Sequence, residues 1–343
     1  MTDLQSEAGA EPLSPELVEP EAPDAPILVS EHERTLAARA ARAATRGSKP
    51  TRIVAARVSI WWRLGELWRS RELFAFLVRK EIKVKYKNSF LGFLWSMLNP
   101  ALNLAVFYVL FTYFLPNGIP NFVIYMFSAM LVWNLFQTAV LTGTSAIVAN
   151  GGIVKKVAFP REILAFASVG SAFMFFLFQS IVMIAFMLAF WHRPAWADIW
   201  LLVPALAAIV AFAAALSVFL AAVNVYLRDT QHLVEVILMA WFWAVPGIYR
   251  FPQVQAELAR HKLLWVYFLD PVVPVVMTFQ RVFYAVPIAR STIKPHPLEA
   301  MLASYGIHWY VLSDLTVLVV SLGLLIGALV VFGRLEGNFA EEL

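Results

Sequence analysis

The residues best equipped for ionic chemistry form a run of cations between positions 79 and 87. Arg79, Lys80, Lys83, Lys85 and Lys87 stand there with one carboxylate, Glu81, among them. Ammonium and guanidinium groups so placed attract phosphate, whether of anionic lipid or of a phosphorylated ligand. A second basic set, Lys155, Lys156 and Arg161 with Glu162, surrounds Phe159-Pro160 and follows Gly151-Gly152. The means for bond chemistry are absent. There is no Cys, hence no disulfide, no thiolate metal site and no cysteine nucleophile. No Gly-x-x-x-x-Gly-Lys-Ser/Thr run occurs, so the chain does not itself cradle nucleotide phosphates. His32, His192, His232, His261, His296 and His308 are scattered, with no metal-ligand spacing, and no metal site is expected.

These groups must be positioned by a membrane fold. The chain is 60% hydrophobic and 15% charged, with mean hydropathy +0.70, far from a soluble domain. The net charge of +4 does not point to nucleic acid, because the cations sit beside apolar stretches. At a helical period, Phe74, Leu77, Val78, Ile82 and Tyr86 share one face of 71–90, opposite Arg79, Lys80, Lys83 and Lys87. Such a helix lies along a membrane surface on its cytoplasmic side. Lys85 falls on the apolar face, four residues after Glu81, in the favourable order for a pair on one helix.

Six apolar stretches approach the roughly 20 residues that a spanning helix needs: about 96–115, 122–148, 163–190, 199–226, 233–249 and 309–332. Lys and Arg favour the segments before the first, between the second and third, between the fourth and fifth, and after the sixth. Under the positive-inside rule, both termini are cytoplasmic. The connection 250–308 is external, and Val254–Leu269 and Pro271–Tyr284 read as two short helices partly immersed from outside. Glu235 and Asp314 are expected within the first turn or so of their helices, where a carboxylate snorkels to the interface. With no ionisable group in the centre of a span, an ion-coupled transporter or proton pump is disfavoured. Residues 1–57 are acidic and Pro-rich, then Ala/Arg-rich, which predicts a disordered cytoplasmic tail. The expected organisation is therefore the tail 1–57, an interface-helix region 58–95, a spanning domain 96–333 and a cytoplasmic ending 334–343. Within the spanning domain, 150–162 is a cytoplasmic loop and 250–308 an external cap. The fold class is all-α integral membrane.

Five segments, in order, resemble one family. Arg79-Lys80-Glu81-Ile82-Lys83-Val84-Lys85-Tyr86-Lys87 through Trp95 and Asn99-Pro100 is similar to the leading segment of polysaccharide-exporter permeases, the membrane subunits of type-2 ABC transporters. Ile153 to Glu162 resembles their first cytoplasmic coupling loop, and Asn224 to Leu233 their fourth-to-fifth loop. Asp270-Pro271 through Arg281 and Tyr284 resembles their external gate, where Asn-Pro is commoner, and Phe339 to Leu343 resembles their ending. The likeness covers about 70–343.

The resemblance implies a homodimer that pairs with two copies of a separate ATP-binding subunit. This chain then has no cofactor of its own, since ATP and Mg sit on the partner. The cargo implied is a lipid-linked glycan such as O-antigen, galactan or teichoic acid, in a bacterial plasma membrane. It places Phe159 in a groove of the ATPase as an apolar anchor on a short helix, 153–159, stopped by Pro160. Lys155, Lys156, Arg161 and Glu162 form the rim there, and Arg228 and Asp229 form a second contact. Arg79, Lys83, Lys85 and Lys87 would guide the lipid diphosphate, or simply hold anionic lipid. Asp270, Pro271, Arg281 and Tyr284 belong to an outer gate. Sugar faces stack on aromatic rings, so Tyr108, Phe111, Tyr113, Trp133, Phe136, Trp241 and Trp243 are candidate conduit residues; at span ends the same residues serve as interfacial belt or packing. A permease for a drug or lipid remains an alternative, as does a membrane glycosyltransferase using Glu257, Asp270 or Glu299.

Overall fold

Long apolar runs with few breakers produce long helices, and these dominate the computed structural model, which describes residues 60–85, 87, 94–293, 295 and 297–343. The predicted tail 1–57 and the junction 88–93 lie outside the described residues. The amphipathic region gives α1 (Ile60–Arg69) and α2 (Arg71–Lys85). Then come α3 (Leu94–Val109), closed by a π-helical turn Leu110–Phe114, and α4 (Phe122–Ala149). A single helical turn, α5 (Gly151–Val154), precedes α6 (Glu162–Ala189). A 3-10 turn, Trp196–Leu201, leads into α7 (Leu202–Tyr226), followed by α8 (Thr230–Phe242). The connection after it holds α9 (Phe251–Arg260), α10 (Leu264–Tyr267) and α11 (Val272–Phe283). The chain ends with α12 (Ile307–Leu335) and α13 (Phe339–Glu342).

Among the described residues, five helical stretches are long and apolar enough to cross a membrane: Met97–Phe114, Phe122–Ala149, Glu162–Ala189, Trp196–Tyr226 and Ile307–Asn338. The fifth predicted span, 233–249, is not among them. α8 ends at Phe242, and its 13 residues extend about 20 Å against a hydrocarbon core of about 30 Å. Pro246-Gly247 then turns the chain, and a Cβ on Gly247 would lie 3.1 Å from that of Ala129, so the backbone runs close against α4. One element was not expected in an all-α chain. β1 (Ile288–Arg290) and β2 (Leu298–Ala300) form an antiparallel hairpin with Ala289 opposite Glu299.

α4 is the most enclosed of the candidate spans, mostly apolar apart from Asn134, Gln137 and its hydroxyls; it packs against α6, α7 and α11. α7 supplies small residues, with Ala205, Ala208, Ala213, Ala214, Ala215, Ala221 and Ala222 all buried. Small side chains let helices approach closely without a hydrophobic driving force, and α7 packs extensively on α12 and α4. At the α4–α7 contact, a Cβ on Gly143 would fall 2.4 Å from that of Ser217, whose hydroxyl donates to the Ala139 carbonyl at 2.9 Å.

Asp314 departs from its expected interfacial place. It lies two turns into α12, fully buried, where Oδ2 accepts from the Thr278 hydroxyl at 2.8 Å and Oδ1 has no partner. The packing of α11 on α12 closes off the route to water that snorkelling requires. Glu235, by contrast, is exposed on α8 beside His232.

Candidate functional site

Three pieces of chain meet at one end of the bundle: the amphipathic pair α1–α2, the α4–α6 loop and the C-terminal segment. α2 docks on α6 through Leu77 and Val78, both buried. Gly170 makes the contact close: a Cβ there would lie 2.8 Å from Phe74 Cζ and 2.9 Å from Val78 Cγ2. One turn on, the Glu81 carboxylate accepts from the hydroxyls of Ser168 (3.2 Å) and Ser171 (2.6 Å). Further along, Lys85 Nζ sits 4.2 Å from the centroid of the Phe175 ring. The helix therefore runs along α6, from Gly170 to Phe175. Glu81 and Lys85 do not pair as expected. Both are drawn to α6, because the serine hydroxyls and the ring face lie on the side of α2 that packs. Lys85 keeps an exposed stem, yet crowding around its ammonium lowers its pKa. Lys80, predicted to face phosphate, donates to Asn150 Oδ1 at 2.9 Å. Arg79, Lys83 and Lys87 are exposed.

The loop differs from the predicted helix 153–159. Gly151 and Gly152 open a helical turn that is over by Val154, and 155–160 is turn and irregular chain. Asn150, with φ −109° and ψ 19°, bends the path at the end of α4. Lys155 and Lys156 are exposed, and so are Ile153 (40%) and Val157 (55%). Phe159, the predicted anchor, is half-buried against the chain's own cytoplasmic core, beside Pro160. Arg161 and Glu162 face inward, away from the predicted rim. Arg63 of α1 donates to Glu162 Oε1 at 3.2 Å and also to Glu336, while Arg161 donates to the Glu336 carbonyl and covers the Phe339 ring. Burial opposes the Arg63 charge, but the two carboxylates outweigh it and raise its pKa. Tyr226 donates to the Leu335 carbonyl at 2.7 Å, which fixes the C-terminal segment to α7. Arg228 and Asp229 are exposed with Leu227 in the α7–α8 loop. A cavity of about 470 Å³ opens between Arg63, Phe159, Arg161 and Gly337.

The residues predicted for the outer gate are bound into the segment 250–306 and its neighbours. Asp270 accepts from the Trp241 indole at 2.7 Å and from the Val272 N–H at 2.9 Å, capping α11 just after Pro271. Arg281 donates to Asp198 at 2.8 Å and lies over the Tyr310 ring. Tyr284 donates to the Pro120 carbonyl at 2.9 Å and packs edge-on to Tyr125. The carboxylates considered for glycosyl transfer are engaged separately: Glu299 pairs with Arg250, and Glu257 with Arg260 and His261.

The conduit candidates divide. Trp133 and Phe136 are core residues, with Phe136 stacked on Phe212 at 5.4 Å. Trp241 is held by Asp270, while Tyr113 and Trp243 are exposed. Tyr108 and Phe111 line a cavity of about 520 Å³ beside Asn117 and Phe122. Sequence reasoning passed over a third cavity, of about 570 Å³, between α3, α4 and α6. Asn99 and Asn103, Asn134 and Gln137, and Gln179 all line it, with Lys85 and Trp95 at its edge. Asn134 donates to Gln179 at 3.0 Å, and the Trp133 indole donates to Gln137 at 2.9 Å. The amide pair on α3, four residues apart, was the available signal.

A chain of apolar spans with a basic helix docked on α6 matches the family model described as "ABC-2 type transporter" over residues 72–284. The chain belongs to the ABC-2 type transporter family. As an ABC-2 permease it is a transport subunit and a multi-pass membrane protein, and ATP hydrolysis lies in a separate ABC subunit. It is 38% identical over 220 residues to the O-antigen export system permease protein RfbA of Myxococcus xanthus, covering 64% of this chain and 83% of that one. A Klebsiella pneumoniae protein of the same description is 26% identical over 212 residues, 62% of this chain and 80% of its own.

Proposed function

We propose that this permease exports a polysaccharide carried on a polyprenyl diphosphate, driven by ATP hydrolysed on its partner. The O-antigen permeases it resembles support the substrate class. The structural observation that carries the reading is the exposed turn Ile153–Val157, with Lys155 and Lys156, beside the docked basic helix. An ATPase seated on Ile153 and Val157, and on Leu227-Arg228-Asp229, pushes on a loop clamped through Arg161 and Glu162 to α1 and the C-terminus. Motion of that loop is passed to α6, and through Glu81 to α2. Arg79, Lys83 and Lys87 meet the lipid diphosphate at the cytoplasmic surface.

In this reading two copies of the chain join two ATPase subunits, which hold the ATP and Mg. α8 with the turn after it makes the sixth crossing of each copy, and both termini are cytoplasmic in a bacterial plasma membrane. α9 to α11, capped by Asp270, form a re-entrant outer gate. The test is affinity purification from native membranes in mild detergent, followed by reconstitution. A co-purifying ABC ATPase and ATP-dependent export of a lipid-linked glycan are expected. An isolated chain without ATP-dependent export overturns the reading.

A further inference from the structure

Polar side chains in the middle of a membrane protein are costly and mark a path or a site. Asn134 lies near the midpoint of α4, and Gln179 lies beyond the midpoint of α6. Each amide carries one acceptor oxygen and two N–H donors. Their mutual bond engages one donor of Asn134 and the oxygen of Gln179. The second donor of Asn134, its oxygen, and the whole NH₂ of Gln179 remain for whatever fills the cleft. On the opposite wall Asn99 and Asn103 add two more amides, separated by Pro100, which cannot donate to the carbonyl one turn earlier. The lining thus alternates donors and acceptors and carries no carboxylate. At about 570 Å³, the cleft is within the roughly 300–1,000 Å³ range of small-molecule sites.

Amides without acids suit a neutral polyhydroxyl ligand, since each hydroxyl both donates and accepts. The exposed Trp95 indole offers a flat face for the CH side of a sugar ring. The one charge at the edge is Lys85, held over Phe175, and it suits a single phosphate attached to that sugar.

We propose that this amide-lined cleft binds the sugar residue next to the phosphate of the substrate, with Lys85 on the phosphate and the amides on the hydroxyls. The proposal rests on the export reading. It assigns the cleft a selective role: the permease distinguishes a loaded lipid carrier from an empty one before the ATPase acts. An empty carrier satisfies Lys85 and leaves the amides without their hydroxyl partners. A site built to hydrogen-bond a group rejects the analogue that lacks it.

The experiment uses the full chain with its ATPase in nanodiscs of phosphatidylethanolamine and phosphatidylglycerol. The probes are undecaprenyl diphosphate with and without one N-acetylglucosamine, and their binding is compared. The wild type is expected to prefer the sugar-bearing probe. Asn134→Leu with Gln179→Leu, which removes both partners of a buried pair, should cut that preference about tenfold, the worth of one or two hydrogen bonds. Asn103→Ala, at an exposed position that folding tolerates, should cut it about threefold. Lys85→Gln should weaken both probes alike. No preference in the wild type, or a preference that survives in the variants, overturns the proposal. So does a cleft occupied by phosphatidylglycerol, read as a loss of its binding in the variants equal to that of the sugar probe. ATP-dependent export by the wild type is measured alongside: its absence refutes the export reading, whereas intact export with an unaltered preference refutes the cleft alone.

Discussion

Replacing Gly170 with alanine should lever α2 off α6. The new methyl would fall 2.8 Å from Phe74 Cζ and 2.9 Å from Val78 Cγ2, both closer than carbon atoms approach. The Phe74 ring can swing by a few tenths of an ångström, but Val78 is β-branched, buried and stiff. Overpacking of this kind costs about 1–3 kcal/mol. That shifts the ratio of docked to undocked α2 by roughly fivefold to a hundredfold. The assay is amide hydrogen exchange of 71–85 in nanodiscs, where protection should fall by that factor while the spans remain protected. Export should fall with it. Val78→Ala in the same chain makes room for the methyl, and the double variant should regain most of the lost protection, a coupling expected of residues in contact. Unchanged protection in Gly170→Ala, or a double variant worse than both singles, would refute the close packing from which the argument starts.

Four further outcomes follow from the contacts. Arg63→Ala leaves Glu162 buried without its cation and should lower the thermal midpoint by several degrees; adding Glu162→Gln should restore part of it. Val157→Asp, at an exposed position, should leave insertion unchanged and abolish glycan-stimulated ATP hydrolysis in the reconstituted complex. Thr278→Val strips the buried Asp314 of its hydrogen bond and should destabilise the protein by about 1–3 kcal/mol, whereas Asp314→Asn, still able to accept from Thr278, should be tolerated in a thermal melt. Lys85→Met removes the ammonium held over the Phe175 ring, so binding of the diphosphate-bearing probe should fall in the nanodisc assay.

The spans were legible wherever a long apolar run stood between turn residues, as at Phe122–Ala149 and Glu162–Ala189. The end of the helix in 233–249 was not legible, because hydropathy continues through Trp243 and Val245 although the helix stops at Phe242 and Pro246-Gly247 turns the chain. The amphipathic face of α2 was readable from Leu77 and Val78, but its partners were not. Ser168, Ser171 and Phe175 lie about 90 residues away, and nothing local announces them. Still longer separations hid the clamp: Glu162 lies 99 residues and Glu336 273 residues from Arg63, and they meet only once α6 and α12 are packed. The cleft was missed for a different reason. Charge was the criterion for intramembrane polarity, and neutral amides pass beneath it even when two stand four residues apart on α3.

The attachment of α3 has a mechanical consequence. Its outer end is fastened: the Gly118 carbonyl, in a turn with φ +76°, accepts from the Thr292 N–H, and Asn117 donates to the Ile248 carbonyl. Below that point most of its side chains are exposed, with Leu104 and Pro100 the buried ones. A rod pinned at the top and loose below behaves as a swinging door. Its 16 residues make a lever of about 24 Å, so a swing of about 10° displaces the lower end by about 4 Å. The amides of Asn99 and Asn103 ride on that lower end. The width of the cleft thereby follows the least buried of the candidate spans, and the hairpin at its pinned end serves as its hinge plate.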